Sequence, residues 1–216
     1  MMPRGCDSLQ LLQPRRCQKH PLRALDSGLA VDVADPQAIA RAVDTVVDQF
    51  GALHYAVNNA GVASEYADIP DMTLELWAST IAVNLSAHFY GLKVELPAIA
   101  ASGGGAVVNA SSVFADRALP FRAAYTASKH GVRGLTRSAA RDWAPRGIRV
   151  NELQPGVIDT PMLDGPGSHA GQIAAAVPMA RLGQPREIAT AVAFLLSDDA
   201  PYITGAHLAV DWGFLD

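Results

Sequence analysis

The sequence predicts a doubly wound α/β domain, a parallel sheet covered by helices on both faces. Short apolar runs alternate with longer segments whose apolar residues recur at helical spacing, and strands that alternate with helices imply such a sheet. At 216 residues, half of them hydrophobic, the chain can bury one full core. Polar and glycine-containing clusters fall just after the strands, where ligands of open α/β sheets sit.

Residues 1–24 carry Arg4, Arg15, Arg16, Lys19 and Arg23 against the single acid Asp7 and have no sustained period. They predict an irregular segment over 1–26, ahead of one domain over 27–216. "LAVDV" (29–33) reads as the first strand. Asp35 is placed as an N-cap with Pro36 at the first helical position, and Ile39, Val43, Val46, Val47 and Phe50 follow at helical spacing. "LHYAV" (53–57) is the next strand, 74–101 a long helix, "GAVVNA" (105–110) a strand and 122–144 a helix. "GIRVNEL" (147–153) is a fourth strand, 186–197 a helix behind Pro185, and "AHLAV" (206–210) the last strand.

Composition excludes several classes. The net charge of −4 argues against a nucleic-acid binder, which would show a basic face. No apolar run reaches membrane-span length and no secretory leader pattern is present, so a soluble, cytoplasmic protein is expected. Cys6 and Cys17 do not make a disulfide framework, and the six histidines lack metal-ligand spacing, so no metal is expected.

The clusters at strand ends are Asp32 and Val33, "NNAG" (58–61), "SS" (111–112) and "QPG" (154–156). Each alone is ordinary turn punctuation. "AAYTASKHG" (123–131) adds Tyr125 and Lys129 four positions apart, one above the other on a helix. A phenol with a reference pKa near ~10 is a poor base at neutral pH, and a cation about 4–6 Å away would lower it by about 1–3 units. Lys129 is expected to supply that charge.

Over roughly 25–213 the sequence resembles the short-chain dehydrogenase/reductase family. The motifs are "DV" (32–33), "NNAG" (58–61), "VNL" (83–85), "NASS" (109–112), "YTASK" (125–129), "QPGVIDTPM" (154–162) and "ITGAHLAVD" (203–211). Thirteen positions separate Ser112 from Tyr125, as in that family. The resemblance implies a Rossmann-like fold and hydride transfer between a nicotinamide cofactor, NAD or NADP, and an alcohol or ketone. It implies Asn84, Ser112, Tyr125 and Lys129 as the catalytic set. Tyr125 moves the proton, Ser112 holds the substrate oxygen, and Lys129 also binds the nicotinamide ribose. Asn84 interrupts its helix and positions a water in a proton relay.

The same resemblance assigns Asp32 to the adenine amino group, Val33 to the adenine ring, and Asn59, Ala60 and Gly61 to the adenosine ribose. After Pro155 and Gly156, the backbone of Ile158 meets the carboxamide and Thr160 reaches toward phosphate. Phe114, Leu119, Phe121, Met162 and Leu163 are expected as an apolar substrate wall, and 161–178 as a mobile substrate loop. A homo-oligomer, dimer or tetramer, is expected through the helices 74–101 and 122–144, with a second contact from the C-terminal segment.

The sequence departs from the family before Asp32. No glycine-rich strand–turn–helix is found there, so an N-terminally incomplete nucleotide half is expected, with weak cofactor binding. Two other readings follow: an impaired family member that serves assembly, and a dehalogenase-like relative, against which the retained Lys129 speaks. "SGGGAVV" (102–108) precedes a strand and reads as a connecting loop, and the glycines of "GVRG" (131–134) as sites of close helix packing.

Overall fold

The computed structural model describes residues 28–63, 66–163, 175 and 178–215. The expected irregular segment 1–26 and most of the expected loop 161–178 lie outside the described residues.

Helix α1 (Pro36–Phe50) begins where the Asp35 carboxylate accepts from the Gln37 N–H at 2.8 Å, and ends at Gly51, which takes the left-handed conformation. Its inner stripe is Ile39, Ala42, Val43 and Val46. Strands β1 (Tyr55–Asn58), β2 (Gly105–Ala110), β3 (Ile148–Pro155) and β4 (His207–Val210) form one sheet in that order, and every pair is parallel. Side chains alternate between its faces. Ala56, Val107 and Val150 meet α1, α3 (Ala87–Ala101) and α4 (Ala123–Trp143) on one face. Ala106, Val108 and Leu153 meet α5 (Pro185–Leu196) on the other. Both faces are therefore covered, and the strand carboxyl ends open on one edge.

Two expected elements differ. Residues 29–33 form no strand among the described residues; Ala30 makes a single bridge. A turn intervenes, in which the Asp32 carboxylate accepts from Ala34 N and the Asp32 carbonyl from Asp35 N. Val31 and Val33 bury themselves against Ile39, Ala42 and Ala87 instead of joining the sheet.

The segment 74–101 is three pieces: α2 (Leu74–Ile81), a π-helical turn (Ala82–Ser86) and α3. The glycine-rich 102–104 is the expected loop between α3 and β2, with Gly103 and Gly104 at positive φ. A Cβ on Gly131 would lie 2.8 Å from the Leu85 methyls, so α4 and the π-turn approach closely there as expected, whereas a Cβ on Gly134 would meet nothing within 4 Å, so the second glycine of "GVRG" is not a site of close packing.

Candidate active site

The end of β2 and the first turns of α4 meet in a buried corner. Lys129 is 4% exposed, and its ammonium donates to the carbonyl of Ala110, the last residue of β2, at 3.2 Å. Ser111 returns the contact, its hydroxyl donating to the Lys129 carbonyl at 3.1 Å. These bonds fix the height of α4 against the strand. Ser112 then turns outward in extended conformation and caps the short turn Val113–Ala115, its Oγ accepting from Phe114 N at 3.2 Å. The same hydroxyl lies near enough to the Tyr125 phenol to favour its ionised form. Phe114 packs edge-on against the Tyr125 ring, with centroids 6.4 Å apart.

Asn84 closes the corner from the π-turn. Such turns free a carbonyl from regular pairing and often mark functional sites. Its side chain is fully buried and spans the main chain of Val62, accepting from the N–H at 2.8 Å and donating to the carbonyl at 2.9 Å. The side chain is thus committed to holding the loop after β1. That loop brings in Gly61, whose open side lies 3.5 Å from Asn84 Oδ1 and 3.6 Å from Lys129 Nζ, measured from where a Cβ would stand.

The electrostatics correct one expectation. The Tyr125 pKa is raised, because burial penalises the phenolate more than its partners help; the Ser112 hydroxyl and then the Arg122 charge oppose the rise. Lys129 is not the dominant influence. Its ammonium stands 5.7 Å from the tyrosine ring centroid, and burial lowers its own pKa to about 8, with the Glu152 carboxylate acting against that fall.

The residues expected at a dinucleotide are arranged unevenly. Asp32 is exposed, and Asn59 is exposed just beyond β1, while Ala60 and Gly61 are half-buried. Val33 is 6% exposed inside a core cluster, so its side chain serves the core and not an open ring site. Pro155 ends β3, and Gly156 donates its N–H to the Val210 carbonyl at 3.0 Å. A Cβ on Gly156 would lie 2.7 Å from Asp211 Cα, so this glycine is required first by packing against the end of β4. Ile158 bridges Gly183, and the Thr160 hydroxyl donates to the Ile158 carbonyl at 3.3 Å.

The expected substrate wall is only partly assembled. Phe114 stands between Tyr125 and Phe214, the second pair of rings also edge-on at 6.0 Å. Leu119 donates its N–H to Thr126 Oγ1 at 3.2 Å, at the rim of α4. Phe121, at the positive φ of 59° that is strained for an aromatic residue, faces a separate open cavity of about 520 Å³. That cavity is lined by Tyr66, Asp68, Asp71, Thr73 and Leu76 and by neither Ser112 nor Tyr125. Met162 is half-exposed on the short turn Pro161–Leu163, and Leu163 is partly buried there.

Several residues escaped the sequence reading. Asn58 donates to Glu95 and to Asn109, and Asn109 to Thr136, each at 3.0 Å, in a buried polar chain beneath the corner. Burial pushes Glu95 up to about 7. His88 is buried beside Lys129, and burial followed by that charge lowers its pKa to about 3. Glu152 is a buried acid in the strand "IRVNELQP", whose alternating polar residues give it no distinct signal. The C-terminal segment folds back over the site loop, with Arg117 donating to the Leu215 carbonyl at 2.6 Å. Among the described residues no group of three or more His, Cys, Asp or Glu could hold a metal, and no helix is long and apolar enough to cross a membrane.

A parallel α/β sheet with a serine, a tyrosine and a lysine converging at its carboxyl edge defines a Rossmann-like protein of the oxidoreductase type. Residues 15–215 match the family model described as enoyl-(acyl carrier protein) reductase. The chain belongs to the short-chain dehydrogenase/reductase family. It is 43% identical over 183 residues to cyclohexanol dehydrogenase of Acinetobacter sp. (strain SE19), a match covering 85% of this chain and 72% of that protein. It is 39% identical over 183 residues to trans-4-hydroxycyclohexanecarboxylate dehydrogenase of Sinomonas cyclohexanicum, covering 85% and 68%. Among solved structures, ligand-free aldohexose dehydrogenase of Thermoplasma acidophilum superposes with a TM-score of 0.81 at 36% identity, covering 86% of this chain and 77% of that one. ElxO with NADP bound superposes with a TM-score of 0.81 at 30% identity, covering 87% and 77%.

Proposed function

We propose that the protein interconverts a secondary alcohol, of the cyclic class its relatives are named for, and the corresponding ketone, using NAD or NADP. The observation that carries this reading is the convergence of Ser112, Tyr125 and Lys129 at one buried corner beside Gly61. The residues fit a dinucleotide ribose. Lys129 uses one of its three protons on Ala110, with no other acceptor among the described residues, and Gly61 leaves its approach open. When bound, the nicotinamide accepts or supplies the hydride.

The chain supplies everything else. Ser112 donates to the substrate oxygen and steadies its developing charge. In ketone reduction the Tyr125 phenol gives its proton to that oxygen, and in alcohol oxidation the phenolate takes it. Lys129 holds the ribose hydroxyls and favours the phenolate. Asn84 keeps the Gly61–Val62 main chain in place through its two bonds to Val62.

Tyr125→Phe tests the assignment. Turnover of a cyclohexanol panel, followed by reduced-nicotinamide absorbance, is expected to vanish while dinucleotide affinity by fluorescence titration stays within about threefold, since only the proton carrier is removed. Activity within about tenfold of the parent would refute it.

The same reading includes a homo-oligomer. Leu74, Trp77 and Phe89 stand exposed along α2 and α3, as apolar side chains awaiting a partner surface would. Light scattering at micromolar concentration is expected to give a dimer or tetramer, and a monomeric mass contradicts it.

A further inference from the structure

Ser112 stands at the end of β2, followed by one short turn and no further regular structure until α4 starts at Ala123. Its placement against Tyr125 therefore needs a tie, and the structure contains one outside the site. Asp116 closes the turn, its N–H donating to the Val113 carbonyl at 3.1 Å. Arg133 lies one helical turn beyond Lys129 on α4, and its two terminal nitrogens grip both oxygens of Asp116, with Nη2 to Oδ2 at 2.7 Å. Its Nε donates to Glu152 Oε2 at 3.0 Å, and Gln154 Nε2 donates to Asp116 Oδ2 at 2.8 Å. The Arg133 side chain is 15% exposed, that of Glu152 1% and that of Asp116 31%, so the cluster runs from the core at Glu152 to the partly solvated Asp116.

A two-pronged guanidinium–carboxylate contact fixes orientation as well as distance. Ion pairs are a weak source of net stability, because exposed ones are screened by water and buried ones are often matched by apolar residues of similar volume. What this cluster does that apolar residues could not is join, at fixed angles, three elements. They are the loop bearing Ser112, the helix bearing Tyr125 and Lys129, and the strand leading to Pro155 and Gly156.

We propose that Arg133 is a positioning residue: gripping Asp116 and Glu152, it holds the Ser112 hydroxyl in register with the Tyr125 phenol and acts on the reaction only through them. The catalytic part of this proposal rests on the function proposed above.

The test uses the full chain with Asp116→Ala, which leaves Arg133 paired to Glu152 so that the core keeps its charge balance, and with Arg133→Lys as the conservative change. Hydrogen exchange by mass spectrometry reads the tie without any need for activity. In Asp116→Ala the amides of 112–117 are expected to exchange about tenfold faster or more while those of α4 and β3 keep their protection. Steady-state kinetics then reads the consequence. The kcat is expected to fall about 10- to 100-fold, as for misplacement on the scale of 1 Å, with the KM for dinucleotide within about twofold. Arg133→Lys, which can reach one acid but not bridge two, is expected to fall between.

Unchanged exchange at 112–117 overturns the tie. Faster exchange with unchanged kcat overturns the positioning role, as does a loss of kcat matched by equal losses of dinucleotide affinity and thermal midpoint. Absence of turnover in the parent overturns the proposed function instead, and the exchange result still decides the tie.

Discussion

Replacing Lys129 by methionine should make the protein more stable and less able to bind dinucleotide at once. The ammonium sits 4% exposed with a single carbonyl partner, and burial lowers its pKa from 10.5 to about 8. At about 1.4 kcal/mol per pKa unit, keeping the charge in the folded protein at neutral pH costs about 3 kcal/mol. Methionine fills nearly the same volume without a charge, and Glu152 keeps its partner in Arg133. The Ala110 carbonyl loses its donor, which returns about 1 kcal/mol.

The net gain should be about 2 kcal/mol at pH 7 by urea unfolding. A base with a depressed folded pKa destabilises fully below that pKa, and the penalty fades as pH rises from about 8 to 10.5. The advantage of the variant should therefore shrink at about pH 10. A variant no more stable than the parent at neutral pH, or an advantage that does not narrow, would show that the cost of burying this charge has been misjudged. Fluorescence titration on the same samples should show weakened dinucleotide binding, the proposed reason for keeping a destabilising residue.

Glu95 gives a second pH signature. Its carboxyl is raised from 4.5 to about 7, so the folded protein is penalised increasingly as pH rises through that window. Glu95→Gln, which does not ionise, should gain on the parent by about 2–3 kcal/mol between pH 5 and pH 8 in urea unfolding, and a constant difference would contradict the assignment. Gly91→Ala would place a methyl 2.6 Å from Asn58 Oδ1 and 3.1 Å from Glu95 Oε1. It should lower stability by about 1–3 kcal/mol in the same assay, and a neutral result would mean that the buried polar chain is softer than its geometry implies.

Much of this was legible in the sequence, for reasons that can be named. Asp35-Pro36 marks the start of α1 because capping and the missing proline donor are local effects. The spacing from Ser112 to Tyr125 places two polar groups at one corner because a strand end and a helix start are joined by a short connection. "LAVDV" misled because an apolar run of that length signals burial and not hydrogen bonding; Val31 and Val33 are buried, but against helices. The Tyr125 pKa was misjudged because a motif reports which charges are near and says nothing of how much water has left. Arg133 and Glu152 lie 19 positions apart in sequence and come together only when α4 is laid on β3. No single stretch of sequence shows that pair.

The parallel sheet also sets how the chain must reach its native state. Tyr55 pairs with Ala106, Gly105 with Ile148 and Glu152 with His207, so each ladder closes a loop of roughly 40–55 residues before its first hydrogen bond forms. No hairpin among the described residues can nucleate the sheet. Helices α1, α3 and α4, whose contacts are local, are ready first, and the strands must find one another across them. Such a topology folds slowly. Strand β2 can pair with β1 as soon as it is made, but its other edge stays open until β3 follows, leaving one side of the run "GAVVNA" waiting for a partner over that stretch of synthesis. Conditions that lengthen that wait should lower the yield of folded protein without changing the stability of the molecules that succeed.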